Sequence, residues 1–189
     1  MTQHVDSYYA ASRNPRVDYP ALTDVVETDV CVIGAGYTGL STALFLLENG
    51  FRVTVLEAAK VGFGASGRNG GQIVNSYSRD IDVIEKQVGA RQAQLLGEMA
   101  FEGGRIIRER VAKYGIQCDL KDGGVFAAIT GKQLGHLEAQ KKLWERYGHT
   151  QLELMDERRI REVVGTDRYV GGMLDMSGGH IHPCLLYTS

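Results

Sequence analysis

Cysteine is scarce: Cys31, Cys118 and Cys184 are the only three in 189 residues, too far apart for a disulfide framework or a CxxC metal pair. A reducing, cytoplasmic setting is the expectation that follows. No apolar run approaches the roughly 20 residues of a membrane span. The N-terminal stretch carries Asp6, Arg13, Arg16 and Asp18 and holds no signal-peptide core. Neither sign of charge dominates, with 21 Lys+Arg against 23 Asp+Glu and a net charge of −2. This excludes the basic footprint of a nucleic-acid binder and equally a polyacidic tail. At 43% hydrophobic and 23% charged the chain is not disordered over most of its length. One residue is in excess: the 24 glycines are nearly twice the usual ~7%, without a triplet period. They must serve backbone geometry.

The first 26 or so residues, polar and carrying Pro15 and Pro20, read as an irregular arm docked on a domain, with Tyr8 and Tyr9 as a buried aromatic pair. The short β-branched run Val30-Cys-Val-Ile33 predicts a buried parallel strand, placing Cys31 in the interior as an inert thiol. The period then changes to helical at Leu40, Ala43, Leu44 and Leu47, with Gly50 as terminator. A second strand follows at 52–57, completing a βαβ unit. Residues 62–71 hold five glycines in ten positions and predict a loop whose backbone approaches something closely. A long helix is expected from beyond Asp80 to about Tyr114, packing through Leu96, Met99, Gly103, Ile106 and Ile107, with Glu109 paired to Lys113. Asp122-Gly123 predicts a turn before a strand at 125–130. After it come a helix at 132–147 with Trp144 and Tyr147 in the core, a strand at 151–154, a helix at 156–164 and a glycine-rich strand at 169–180. The expected fold class is α/β: a Rossmann-type dinucleotide-binding domain with an inserted α+β domain.

Gly34-Ala-Gly36-Tyr37-Thr38-Gly39 is a GxGxxG fingerprint in its required setting, after a strand and opening a helix, with Glu57 closing the next strand. Gly34 allows the tight turn, Gly36 the approach of a pyrophosphate, and Gly39 close packing of helix on strand. Phosphate charge would meet the free N–H groups and dipole of the helix start, where Tyr37 and Thr38 lie. Glu57 would accept from ribose hydroxyls and repel a 2′-phosphate, disfavouring NADP. NAD and FAD share this fingerprint. The second glycine-rich loop favours the bulkier FAD, whose far side Ser66, Asn69, Gly70 and Gly71 could meet through backbone and short polar groups.

Phe63-Gly-Ala-Ser-Gly-Arg-Asn-Gly-Gly71 following that fingerprint resembles the FAD-dependent amine and D-amino-acid oxidase superfamily, the group of glycine oxidase and sarcosine oxidase. Longer strings narrow the resemblance to an amine oxidase of putrescine breakdown: Ser7-Tyr-Tyr-Ala-Ala-Ser12, Gln72-Ile-Val-Asn-Ser-Tyr-Ser-Arg-Asp80, Trp144-Glu-Arg-Tyr-Gly148 and Ser177-Gly-Gly-His-Ile-His-Pro183. The resemblance implies FAD as cofactor and a small-molecule amine substrate. The primary amine would be oxidised to the aldehyde with release of ammonia and hydrogen peroxide. It also implies that Arg68 lies near the flavin ring, where its charge would stabilise the reduced cofactor; a surface arginine is the alternative. An amino-acid oxidase or dehydrogenase of the same superfamily and a non-catalytic dinucleotide-binding module remain the competing readings.

His180-Ile-His182 with Cys184 has too few ligands nearby for zinc, so no metal is expected. Arg158, Arg159 and Arg161 with Glu157 and Glu162 predict a solvated helix face. The domain expectation is an arm at 1–26, the first part of the FAD-binding domain at 27–90, and helices and strands leading into the substrate domain at 91–183, with a return to the FAD domain near the end. Residues 184–189, Cys-Leu-Leu-Tyr-Thr-Ser, do not continue the resemblance and match one reading frame of a transposase sequencing adapter. They are expected to be a non-native tail on an N-terminal fragment of a longer protein.

Overall fold

The computed structural model describes residues 4–14 and 19–188, without the side chains of 187 and 188. Pro15, Arg16 and Asp18 of the expected arm, and Ser189, lie outside them. The chain forms two contact units. The first gathers the described residues up to Gly71 with 116–119 and the segment from Ile181, and the second is built from 72–115 and 120–180. The change of unit at Gly71 falls inside the segment 27–90.

The first unit opens with the short helix α1 (Tyr8–Ala11), whose N-cap Ser7 accepts from Ala10 N through Oγ at 3.2 Å. Only half of the expected aromatic pair is inward: Tyr9 is half-buried and Tyr8 is 74% exposed. Strand β1 (Val30–Ile33), helix α2 (Tyr37–Glu48) and strand β2 (Val53–Leu56) form the βαβ unit. The two strands pair in parallel from Val30↔Val53 to Ile33↔Leu56. Gly50, at φ +85°, follows the C-cap Asn49. The expectation of a buried β1 is corrected: Ile33 is 87% exposed and Cys31 is exposed. Helix α2 packs on this sheet, which stops at two strands among the described residues, so the side chains facing away from the helix have no cover.

The second unit begins with β3 (Gln72–Ile73), α3 (Ile81–Val88) and α4 (Ala90–Tyr114). The single long helix expected here is two, because Gly89 takes φ +85° and breaks the ladder. The packing face of α4 includes Leu96, packed against the core, and the half-buried Ile106 and Ile107 as expected, but not all of the expected residues. Ala93, Gly97 and Gly104 are its buried residues, whereas Met99 is 62% exposed. A Cβ at Gly97 would stand 3.1 Å from Tyr147 Cβ, and one at Gly104 3.4 Å from Ile73 Cγ2, while Gly103 faces open space. Small residues mark where neighbours come close, so a leucine-based reading of the face misses them. Glu109 pairs with Arg105, one turn earlier.

Strand β4 (Lys121–Ala128) absorbs the Asp122-Gly123 signal as a bulge instead of a turn: the register jumps between Asp122↔Gly179 and Gly124↔Asp175, and Gly123 takes φ +89°. Thr130 is not the strand's end but the N-cap of α5 (Gly131–Arg146), in a reciprocal capping box with Gln133. Strand β5 (Leu152–Asp156) precedes α6 (Glu157–Val164), capped by Asp156 Oδ1 on Arg159 N at 2.8 Å. Strand β6 (Gly171–His180) has β4 along one edge, and β5 followed by β3 along the other, all antiparallel. The core joins Ile81, Ala93, Ala128, Leu137, Trp144, Tyr147, Leu152 and Met173. Burial of side chains such as Ile81, Leu137, Leu152 and Met173 contributes about 1.5–3 kcal/mol each. The Arg–Glu pairs of α6 are exposed, as a solvated face requires. Helix α7 (Pro183–Thr188) returns the chain to the first unit; its Cys184 is buried.

Candidate cofactor site

At the end of β1, Gly34 turns the chain with φ +101°, its N–H bonded to Leu56 O at 2.7 Å. A Cβ placed on Gly39 would overlap Gly34 O, with Gly34 C at 3.1 Å and Val32 Cγ1 at 3.3 Å. Strand end and helix start are therefore in direct backbone contact, as the fingerprint requires. Gly36 is the N-cap of α2 and offers no side-chain cap. In its place Ser66 Oγ, from the second glycine loop, accepts from Tyr37 N at 2.9 Å. A hydroxyl cap of this kind is worth about 1 kcal/mol. The N–H groups of Thr38 and Gly39, in the same first turn, have no acceptor within the helix. A glycine turn, helix N–H groups and a hydroxyl at one point suit an anion.

Glu57 follows β2 and folds back on the turn. Its Oε2 accepts from Ala35 N at 2.8 Å and its Oε1 from Ala59 N at 3.0 Å. Each oxygen keeps a further lone pair for an outside hydroxyl. The loop 62–71 is tied to the fingerprint by Gly62 N on Ala35 O at 2.8 Å and is braced internally by Asn69. The Nδ2 of Asn69 donates to Ala65 O (3.1 Å) and Ser66 O (2.9 Å), while its Oδ1 accepts from Gly71 N (2.9 Å). Gly71 takes φ +73°, and a Cβ there would overlap Ile181 O, to whose N–H Gly71 O is bonded at 2.9 Å. Gly70 presents its carbonyl at the loop's end. Arg68 is exposed, donates Nε to Phe63 O at 3.1 Å and lays its guanidinium 4.8 Å over the Phe63 ring.

Sequence reasoning did not single out the side chain of Tyr37 for its phenol, which donates to Pro183 O at 3.2 Å; burial raises its pKa, partly offset by a hydrogen bond with Asn69. It also missed a buried polar cluster in the second unit. Asp175 Oδ1 accepts from Ser177 Oγ (2.8 Å), Ser177 N (2.9 Å) and Gly178 N (3.1 Å), with His149 Nε2 at 3.2 Å. Asn75 Nδ2 bridges Ser177 Oγ (2.7 Å) and Asp175 Oδ2 (3.3 Å). The Asp-x-Ser-Gly spacing at 175–178 was the available signal, since an aspartate two residues before a serine closes an Asx turn. In the His180-Ile-His182 segment, His182 sits against Tyr9 and bonds Ser12 Oγ through Nε2 at 2.9 Å. Among the described residues no three His, Cys, Asp or Glu are placed to hold a metal, and no helix is long and apolar enough to cross a membrane.

Residues 29–188 match the family described as FAD dependent oxidoreductase. Gamma-glutamylputrescine oxidoreductase of Escherichia coli K12 is 61% identical over 97% of this chain, which covers 43% of that protein. Probable oxidoreductase OrdL of Haemophilus influenzae is 46% identical over 96% of the chain, covering 42% of its own length. The chain thus spans rather less than half the length of these relatives. Among solved structures, L-amino acid deaminase from Proteus myxofaciens superposes with a TM-score of 0.73 at 22% identity, over 94% of this chain and 38% of that one. The FAD-bound L-alpha-glycerophosphate oxidase of Mycoplasma pneumoniae superposes at 0.62 and 16% identity, over 85% and 40%. These two likenesses show the fold, an α/β start followed by an antiparallel sheet with helices. With its fingerprint, its second glycine loop and a family match over most of its length, the chain belongs to the FAD dependent oxidoreductase family.

Proposed function

We propose that the longer protein to which this chain corresponds oxidises the primary amine of gamma-glutamylputrescine to the aldehyde. One dioxygen and one water are consumed, and ammonia and hydrogen peroxide are released. The observation that carries the reading is the 61% identity to the E. coli relative that bears the name gamma-glutamylputrescine oxidoreductase. In this reading Gly34, Gly36, Tyr37, Thr38 and Gly39 receive the pyrophosphate, and Glu57 accepts from the adenosine ribose. Ser66, Asn69, Gly70 and Gly71 border the remainder of the cofactor. Bound there, FAD would supply the two-electron redox chemistry that oxidation of the amine requires.

The chain's own residues bind and orient. The turn at Gly34 lets the backbone come close, and the first-turn N–H groups of α2 neutralise phosphate charge. The Glu57 carboxylate selects a ribose with free hydroxyls, because a 2′-phosphate would meet its negative charge. The Arg68 guanidinium supplies positive charge beside the loop, favouring the reduced, more negative ring. A lower flavin reduction potential in Arg68→Ala than in the parent checks that role. The working compartment is reducing and cytoplasmic.

The testing experiment is a peroxide assay of the full-length enzyme with gamma-glutamylputrescine, putrescine, glycine and sarcosine. The expected result is peroxide with the first in clear excess over the others. Preference for glycine or sarcosine would place the enzyme with the amino-acid oxidases instead, and a colourless protein that stays so after reconstitution would leave only a nucleotide-binding role.

A further inference from the structure

The N-terminal arm touches the second glycine loop at both of its ends. At the start of the loop the His4 ring stands 6.1 Å from the Phe63 ring, centroid to centroid. At its close Tyr9 Oη donates to Gly70 O at 3.2 Å. The Tyr9 ring is itself held: it meets the His182 ring edge-on at 5.0 Å. His182 is buried and its backbone N–H is bonded to Cys118 O at 2.7 Å. Ser12 closes the arrangement through Oγ, which lies 2.9 Å from His182 Nε2 and donates to Tyr8 O at 2.6 Å. All of these residues belong to the first unit.

A loop with five glycines in ten residues has more backbone freedom to lose than any other segment of this length in the chain. Left untied, it would meet that entropy cost at the moment the cofactor binds. Ties already made in the free protein move the cost from binding to folding, and affinity rises accordingly.

We propose that residues 4–12 are a clasp that holds the loop 62–71 in its cofactor-binding shape, with Tyr9 as the principal positioning residue. This rests on the reading of the loop as part of the FAD site. The arm touches no reacting atom; it acts through the loop.

Two measurements on the purified full chain test it. FAD titration, followed by quenching of flavin fluorescence, is expected to give a Kd raised about threefold by Tyr9→Phe, which removes one hydrogen bond. Tyr9→Ala, which also removes the ring contacts, is expected to raise it about tenfold. Hydrogen–deuterium exchange without cofactor is expected to show amides in 62–71 exchanging faster in both variants, while β1 and β2 keep the parent's protection. The second measurement does not depend on FAD. If the parent chain binds none, the cofactor reading fails while loop exchange still reports on the clasp. An unchanged exchange rate across 62–71 in Tyr9→Phe and Tyr9→Ala overturns the proposal. So does faster exchange that spreads equally over β1 and β2, since that marks general loss of structure.

Discussion

Gly39→Ala is expected to destabilise the first unit by about 3 kcal/mol or more and to abolish FAD binding. The new methyl group would overlap Gly34 O, with Gly34 C at 3.1 Å and Val32 Cγ1 at 3.3 Å. The nearest of these atoms are backbone and cannot rotate aside, so α2 has to lift from the end of β1. Lifting it strains the 2.7 Å bond from Gly34 N to Leu56 O and draws Tyr37 N away from Ser66 Oγ. The two glycine loops then part at the proposed pyrophosphate position. The same substitution at Gly103 is the control. That position is helical and an added Cβ meets nothing within 4 Å, so alanine should be neutral or stabilise by up to about 1 kcal/mol. Urea unfolding of both variants with FAD titration of each checks the contrast. A Gly39→Ala chain with the parent's midpoint and affinity would show that strand and helix do not meet as closely as described.

The first unit was the more legible in sequence because its signals are local. A β-branched run, a change of period and glycines at set offsets specify β1, the turn and α2 almost to the residue, since each rests on the backbone within a few positions. The burial of β1 was not legible. Whether Cys31 and Ile33 are covered depends on what lies against the sheet, and no property of Val30-Cys-Val-Ile33 itself carries that. Nor did the arm reveal its contacts: the pair Tyr8 and Tyr9 is symmetric in sequence, and only the approach of Gly70 and His182 makes one inward and the other exposed.

In the second unit, glycines and an acidic-glycine pair serve several different ends. Gly89 does break a helix, whereas Gly97 and Gly104 sit inside one to let Tyr147 and Ile73 come near. Asp122-Gly123 marks irregularity correctly, but long-range pairing with β6 converts the irregularity into a bulge. The same bulge carries residues 176–178 out of the ladder. Beside it Arg108 donates to Gly178 O at 2.7 Å and to Asp122 at 2.7 Å. A feature first read as a chain reversal is thus an anchoring point between α4 and the sheet.

Removing the charge at the other side of that bulge should have the second large effect. Asp175→Asn is expected to cost about 3–5 kcal/mol at neutral pH, because the carboxylate organises a buried set of donors that would be left facing an amide. Burial by itself raises the Asp175 pKa. The hydrogen bonds from His149 and Ser177, the His149 charge and the Gly178 N–H outweigh it and bring the value from 3.8 down to about 2. A carboxyl whose folded pKa lies below its unfolded one adds stability that is fully present above the unfolded value and is lost as pH falls through the folded value. The window is therefore about pH 4 to pH 2, and the amount at stake is on the order of 2 kcal/mol. In the parent chain this contribution should fade across that window. In Asp175→Asn it is already gone, so the difference in stability between the two chains should shrink as the medium is acidified from pH 4 to pH 2. Denaturant unfolding of both at several values in that range measures the difference directly. A gap that stays constant with pH would mean that Asp175 is not held ionised by His149 and Ser177 in the folded chain.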